Sequence, residues 1–341
     1  MTLDIPEATL LKAKLLEHGK VYVASKRELT YIPDHSTAGP SAGLDCVFFG
    51  FKGRLVRLSL SPVDDGCSYI PGEGLRFQGK VYYAVEVESV LHCPKQAFIN
   101  LDSNCRYGCL FCATPLLSSH VNRRVMREEV VVRIVDKVRK KIEGVALTTG
   151  VLGTPEESVE HMARVVRALR EHFGDSLPIG VEPLVTEKRH VDLLYEAGAS
   201  EIKVNVESFD PETFRTVCPE LDYKLNLEMV RYAAEVFGDN RVCSNIIVGL
   251  GEPEPSVDEG ARVLADWGVI ASLRPLNLHP LVVGRLSEAT GGRAGRPSAD
   301  RIISHAIRHR DVLEERGLDT RRFKTMCLKC TACDIVPQKD L

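Results

Sequence analysis

The apolar rhythm of the chain changes near residue 95. Before it, residues 7–18 (EATLLKAKLLEH) repeat leucine and alanine at helical spacing and predict a helix. Short runs rich in β-branched and aromatic residues follow: KVYVAS (20–25), CVFFGF (46–51), RLVRLSL (54–60) and KVYYAVEVE (80–88). Turn-rich stretches such as DHSTAGPSAG separate them, so a small β-rich region is expected. From AFINL onward, strand-like runs alternate with helical ones. The helical pattern of RRVMREEVVVRIVDKVRKKI precedes the strand GVALTTG. Then come helix 156–172, strand PIGVEPL, helix 187–197, strand EIKVNVE, helix 225–236, strand CSNIIVGL, helix 255–267 and strand ASLRPLNL. This alternation predicts an α/β fold whose parallel sheet is wrapped by right-handed crossovers. Periodicity leaves open whether the sheet is doubly wound or a partial or full β/α barrel. In a barrel, functional groups collect at the carboxyl ends of strands. Residues 298–316 form an amphipathic helix pattern stopped by Gly317, and a cysteine-rich tail follows. The expected organisation is a β-rich region over 1–94, a β/α core over 95–290 and a helix with its tail over 291–341.

Composition narrows the classes. With 44% hydrophobic and 27% charged residues among 341, the chain can bury a packed core. Lys and Arg number 44 against 47 Asp and Glu, a net charge of −3, so nothing points to nucleic acid. No apolar run reaches membrane-spanning length, and MTLDIPEATLLKAKLLEHGK lacks the basic-then-apolar signal pattern. No membrane partner and a cytoplasmic location are therefore expected. In a reducing compartment, eleven cysteines read as metal ligands rather than disulfides.

Two cysteine triplets carry the candidate chemistry. The first, NCRYGCLFCATP (104–115), places Cys105, Cys109 and Cys112 at C-x3-C-x2-C directly after a strand. Its neighbours Asn104, Arg106, Tyr107 and Gly108 offer no convincing fourth ligand, whereas a structural zinc site normally takes four. Three thiolates suit a [4Fe-4S] cluster with one open iron, which can chelate a ligand bearing an amine and a carboxylate. A zinc loop is the plainer alternative. The second, KTMCLKCTACDIVP, holds Cys327, Cys330 and Cys333 at C-x2-C-x2-C. An auxiliary [4Fe-4S] cluster is the preferred reading, with zinc next. Its fourth ligand is left open among Cys93, Cys46, Cys67, Asp334 and a small molecule.

The first triplet, with Phe111 before its third cysteine and the β/α repeat after it, resembles the radical S-adenosylmethionine (SAM) superfamily. The resemblance implies a β/α barrel of radical SAM type. It also implies that SAM chelates the open iron and is reductively cleaved to a 5′-deoxyadenosyl radical, which removes hydrogen from an unactivated C–H bond. Thr148, Thr149 and Gly150 in LTTGVLG match, loosely, the family's turn at the SAM amino group. Glu182, at a strand end, is a candidate for a ribose hydroxyl or the SAM amine, with an ordinary solvated glutamate as the alternative. Asn205 and Glu207, two apart in VNVES, are expected on one strand face and in the pocket. Val248 and Gly249 in NIIVGLGE match the family's adenine-side segment.

Residues 97–285 are similar in order and spacing to biotin synthase, notably VNVESFDPETFRTVCPELDYKLNLEMVRYAAEVFGDNRVCSNIIVGLGE and SLRPLNLHP. Of that enzyme's [2Fe-2S] cysteines only Cys243 has a counterpart, which disfavours biotin synthesis and makes Cys243 a buried strand cysteine. The layout also resembles an archaeal type of lipoyl synthase, in which an auxiliary cluster would supply sulfur. Sulfur insertion is thus the leading expectation. Carbon-skeleton rearrangement or C-methylation in cofactor or peptide maturation is the alternative, and a non-enzymatic iron–sulfur scaffold or electron carrier comes last. The absence of a D-x-H-x-x-G signature counts against cobalamin-dependent methylation. Implied partners are a small-molecule or protein-bound substrate and a reductant such as ferredoxin or flavodoxin.

Overall fold

The computed structural model describes residues 5–31, 45–117 and 125–341. The turn-rich stretch DHSTAGPSAG and the beginning of the helix pattern at 123–124 lie outside them.

Two seven-stranded sheets make up the molecule. The first follows helix α1 (Glu7–His18) and comprises β1 (Lys20–Tyr22), β2 (Cys46–Phe51), β3 (Arg54–Ser61), β4 (Cys67–Ile70), β5 (Gly74–Phe77), β6 (Lys80–Tyr82) and β7 (Val85–Val87). Its order is β6-β5-β4-β1-β3-β2-β7. The expected single strand over 80–88 is two strands on opposite edges of this sheet. The buried Ala84 lies between them, where the chain leaves one edge for the other. Strands β4 and β5 were not expected; each is four residues long beside a glycine-containing turn, too short for alternation to show.

The second sheet holds β8 (His92–Cys93), β9 (Gln96–Asn100), β10 (Gly144–Thr148), β11 (Ile179–Glu182), β12 (Glu201–Lys203), β13 (Val242–Val248) and β14 (Ile270–Pro275). Strands β9 to β14 run parallel, each beside its predecessor in sequence, and β8 closes one edge as an antiparallel hairpin with β9. The sheet curls as an open, half-barrel version of the β/α barrel. The remaining helices are α2 (Thr114–Leu117), α3 (Glu128–Val138), α4 (Pro155–Phe173), α5 (Lys188–Glu196), α6 (Pro211–Val217), α7 (Tyr223–Phe237), α8 (Glu254–Asp266), α9 (Pro280–Ala289), α10 (Ala299–Glu315) and α11 (Met326–Cys330). Helix α4 shows why such segments fold. Thr154 and Glu157 form a reciprocal capping box, and Val159, Met162, Ala163, Val166 and Leu169 bury one helical stripe. Val159, Met162, Val166 and Leu169 each contribute about 1.5–3 kcal/mol and the smaller Ala163 less. The unexpected α6 and α9 carry local start signals: Asp210 and His279 cap them, each followed by proline.

Side chains alternate across the parallel strands. Ala97, Ile99, Val145, Leu147, Ile179, Val181, Ile202 and Ile246 face the helices in the largest apolar core. The intervening residues face inward, and the carboxyl-terminal tail covers that inner face at its lower end. Two glycines make room for it. A Cβ on Gly180 would lie 2.1 Å from Thr325 Oγ1, and one on Gly144 would lie 3.0 Å from the Lys324 carbonyl. Buried Glu201, at the start of β12, accepts from the backbone N–H groups of Lys324 (2.8 Å) and Thr325 (3.0 Å), while Gln96 donates to the Met326 carbonyl (3.1 Å). The tail thus enters between the amino-terminal ends of β9 to β12. Its far end is held by the β-rich region: Lys12 of α1 donates to the Thr331 carbonyl (2.6 Å) and pairs with Asp340 (2.7 Å), and Arg57 N–H donates to the Ala332 carbonyl (3.0 Å).

Candidate functional site

A cavity of about 380 Å³ opens at the carboxyl ends of the parallel strands. Cys105, Cys109, Phe111, Cys112, Thr148, Thr149, Gly150, Glu182, Asn205 and Glu207 all line it. The structure therefore brings these predicted residues together.

The cysteine loop leaves β9 and is tied down strand by strand. Leu101 N–H donates to the Thr148 carbonyl and Gly150 N–H to the Asp102 carbonyl, both at 2.8 Å. The Asp102 side chain accepts from Asn104 N–H at 2.9 Å. On the outer side, Arg285 of α9 donates to the carbonyls of Cys109 (3.0 Å), Leu110 (3.1 Å) and Cys112 (2.6 Å), fixing the triplet's backbone. Gly150 is needed for close approach, as its residue type suggests, but the approaching atom belongs to the loop itself. A Cβ there would lie 2.1 Å from the Asn104 carbonyl oxygen.

Two placements differ from expectation. Asn205 and Glu207 do not share a strand face, because β12 ends at Lys203 and Glu207 has a left-handed backbone (φ 65°) bridged to Ile246. That turn brings both side chains to the cavity. Val248 and Gly249 are absent from the cavity wall. Strand alternation sends Ile247 inward and Val248 into the helix-side core, and Gly249 packs on Gly295, whose oxygen would lie 2.1 Å from an added Cβ.

The cavity floor is charged, which residue spacing did not reveal. Lys203 is 2% exposed, and its Nζ lies 3.0 Å from Glu182 Oε1. Asn205 Nδ2 donates to the same oxygen at 2.8 Å. Burial works to raise the Glu182 carboxyl, but Lys203, Asn205 and Arg274 outweigh it and hold it below the usual carboxylate range. Burial pushes Glu207 up to about 7, with Lys203 opposing and Glu182 reinforcing. The missed residues are Lys203 and Arg274, charges inside parallel strands that are normally apolar on both faces. A polar residue facing inward at a strand's carboxyl end is the signal that would have found them.

Below the floor lies a second, smaller chamber lined by Cys93, Cys327, Cys330 and Cys333, with Arg57, Met326 and Ala332. His92, Phe98, Arg274 and Cys327 line both chambers. Arg274 Nη1 donates to Cys327 Sγ at 2.8 Å, and Lys203 Nζ lies 3.8 Å from the same sulfur. Of the open candidates beside the tail triplet, only Cys93 lines this chamber. Cys46 is buried in the apolar cluster alongside, Cys67 belongs to the core of the first sheet, and Asp334 accepts from Ser272 at 2.8 Å. Cys243 is a buried strand residue, 2% exposed.

Clustered thiols of this kind are the donor set of iron–sulfur clusters. Cys105, Cys109 and Cys112 could hold one cluster in the upper cavity, and the tail cysteines another below.

Part of the chain is similar to known proteins. The model of the radical SAM superfamily matches residues 99–264. A lipoyl synthase of Chlorobium chlorochromatii is 25% identical over 177 residues, covering 50% of this chain and 58% of that one. A lipoyl synthase of Picrophilus torridus is 26% identical over 194 residues, covering 52% and 64% respectively. The matches thus span less than two thirds of the length of these curated relatives. Among solved structures, a methylornithine synthase superposes with a TM-score of 0.50 at 20% identity, covering 72% of this chain and 73% of that one, a likeness of fold. The chain thus carries a radical SAM domain over residues 99–264.

Proposed function

We propose that this chain is a sulfur-inserting radical SAM enzyme whose tail cysteines hold the sulfur source. One observation carries the reading: Cys327 lies in the wall of both the upper cavity and the lower chamber. A sulfide held at the tail would therefore adjoin the space where a substrate carbon is activated. The lipoyl synthase relatives support the same reaction class.

Cys105, Cys109 and Cys112 would hold the upper [4Fe-4S] cluster, with SAM at its open iron. When bound, these groups supply one-electron cleavage of SAM, hydrogen abstraction from carbon and a bridging sulfide for the carbon to capture. The chain's own residues position and enclose. Ionised Glu182, held by Lys203 and Asn205, presents a fixed acceptor for a ribose hydroxyl or the SAM amine. Thr149 and Phe111 wall the cavity, and Lys203 and Arg274 close its floor. A low-potential reductant such as ferredoxin or flavodoxin would supply the electron, and the substrate would be a small molecule or a protein-bound chain.

The test replaces Cys327, Cys330 and Cys333 by alanine together. The reconstituted variant should still release 5′-deoxyadenosine but form no thiolated product. Protein reconstituted with isotopically labelled sulfide should pass the label to product. Label found only when free sulfide is supplied, with the tail cluster intact, would overturn sulfur donation and favour carbon-skeleton rearrangement or methylation.

A further inference from the structure

We infer that Cys93 is the fourth ligand of the tail centre, so that Cys93, Cys327, Cys330 and Cys333 form one four-thiolate site built from two distant parts of the chain. The inference rests on the tail binding a cluster as proposed above, and adds the residue that completes it.

Cys93 ends strand β8, the short antiparallel strand that enters the second sheet from the β-rich region. It is 2% exposed, and its thiol hydrogen-bonds Cys330. What surface it has faces the small chamber that the three tail cysteines also line. All four sulfur-bearing residues thus converge on one enclosed space. The strained approach to Cys93 serves this placement: His92 before it (φ 66°) and Lys95 after it (φ 60°) both take left-handed backbone, making the tight hairpin that turns the thiol inward.

A comparison inside the molecule shows that thiol contact alone is insufficient. Cys218 of the α6 terminus hydrogen-bonds Cys109 in the same way and is fully buried. Yet Cys218 does not line the upper cavity, so it supports Cys109 from behind and leaves the open position of the upper cluster free. Cys93 stands inside its chamber. The upper cavity is therefore lined by the three thiols of the first triplet and the lower chamber by four, Cys327 being common to both. Each site's ligand count matches the role proposed for it.

The surroundings balance the charge that four thiolates bring. Arg57 and Arg274 line the chamber, and Lys203 reaches Cys327 from above. Buried anionic centres require such compensation.

The experiment isolates the tail site in a full-length Cys105→Ala/Cys109→Ala/Cys112→Ala background. After anaerobic reconstitution this parent should carry about four irons per chain and a single [4Fe-4S] Mössbauer signature. Adding Cys93→Ala should remove at least about one iron of the four and yield a [3Fe-4S]-type EPR signal or complete loss. Cys46→Ala and Cys218→Ala, added separately, should leave iron and spectrum unchanged. Cys93→Ser, which keeps size and an oxygen donor, guards against a folding defect: it should retain the far-UV circular dichroism of the parent while shifting the Mössbauer parameters of one iron. An unchanged spectrum in both Cys93 variants, or loss in Cys46→Ala instead, would overturn the inference. Zinc held by the parent and lost with Cys93→Ala would leave Cys93 as the ligand and overturn the sulfur-donor reading alone.

Discussion

Arg274 reaches Cys327 directly, its Nη1 donating to the sulfur at 2.8 Å, and it does so from the inner face of the last parallel strand. Reduction adds negative charge to a cluster, so a buried cation beside one ligand favours the reduced form. Arg274→Met should lower the potential of the tail cluster by on the order of 100 mV, and Arg274→Lys by less. A redox titration followed by EPR reads this. An unchanged potential in Arg274→Met would show that the guanidinium does not sense the cluster charge.

Loss of one thiol from the upper triplet should stop the chemistry without unfolding the chain. Cys109→Ala should reduce 5′-deoxyadenosine release by more than about 100-fold while leaving circular dichroism intact, since half-buried Cys109 lies outside the main core. Normal release by this variant would end the assignment of the triplet as the SAM-binding site.

Glu207 titrates inside the fold. Its carboxyl rises from 4.5 to about 7, chiefly through burial, and among the described residues its Oε2 has no hydrogen-bond partner. A raised carboxyl binds its proton more tightly in the folded state, so the folded chain loses stability as pH climbs from about 4.5 to 7 and carries the full cost above that. Glu207→Gln should therefore stabilise the metal-free protein by on the order of 2 kcal/mol at pH 8 and have little effect at pH 4. Urea denaturation at the two pH values is the check, and an equal effect at both would exclude titration as the cause.

The tail should depend on a buried ion pair. Lys12 and Asp340 meet at 2.7 Å with side chains 0% and 3% exposed. Lys12→Met leaves the carboxylate without its main partner and should cost about 3–5 kcal/mol. Lys12→Met combined with Asp340→Leu should recover only part of that: the unpaired carboxylate is gone, but Arg54 and the Val336 N–H lose it as a partner. Denaturation midpoints of the single and double variants decide it: a single variant within about 1 kcal/mol of wild type would mean that the pair does not hold the tail.

The β/α alternation was legible because each strand of the parallel sheet carries an apolar outer face, as Val145, Leu147, Ile179 and Val181 do, against helices with clear stripes. The first cysteine triplet stood out in the sequence through its spacing together with the strand before it, Phe111 within it and the β/α repeat after it. What was hidden depends on chain closure. Cys93, Cys46 and Cys67 look alike in sequence, and only the β8 hairpin separates them. Lys203 and Arg274 read as ordinary charges until the tail is seen inside the barrel. That entry in turn rests on Gly144 and Gly180, glycines with no special backbone, whose role is the space they leave. The Val248 placement failed by one residue, enough in a strand to reverse the face.

His92, Phe98, Arg274 and Cys327 form a party wall, each touching the chamber above and the chamber below. A lost activity after mutating any of the four has two addresses and cannot be delivered to either. Clean separation of function has to be sought one layer away, at Thr149 or Asn205 for the upper room and at Arg57 or Cys333 for the lower. The wall also sets a limit on redesign: enlarging the substrate space by shortening Phe98 would open the lower room to whatever enters the upper one, water and oxygen included.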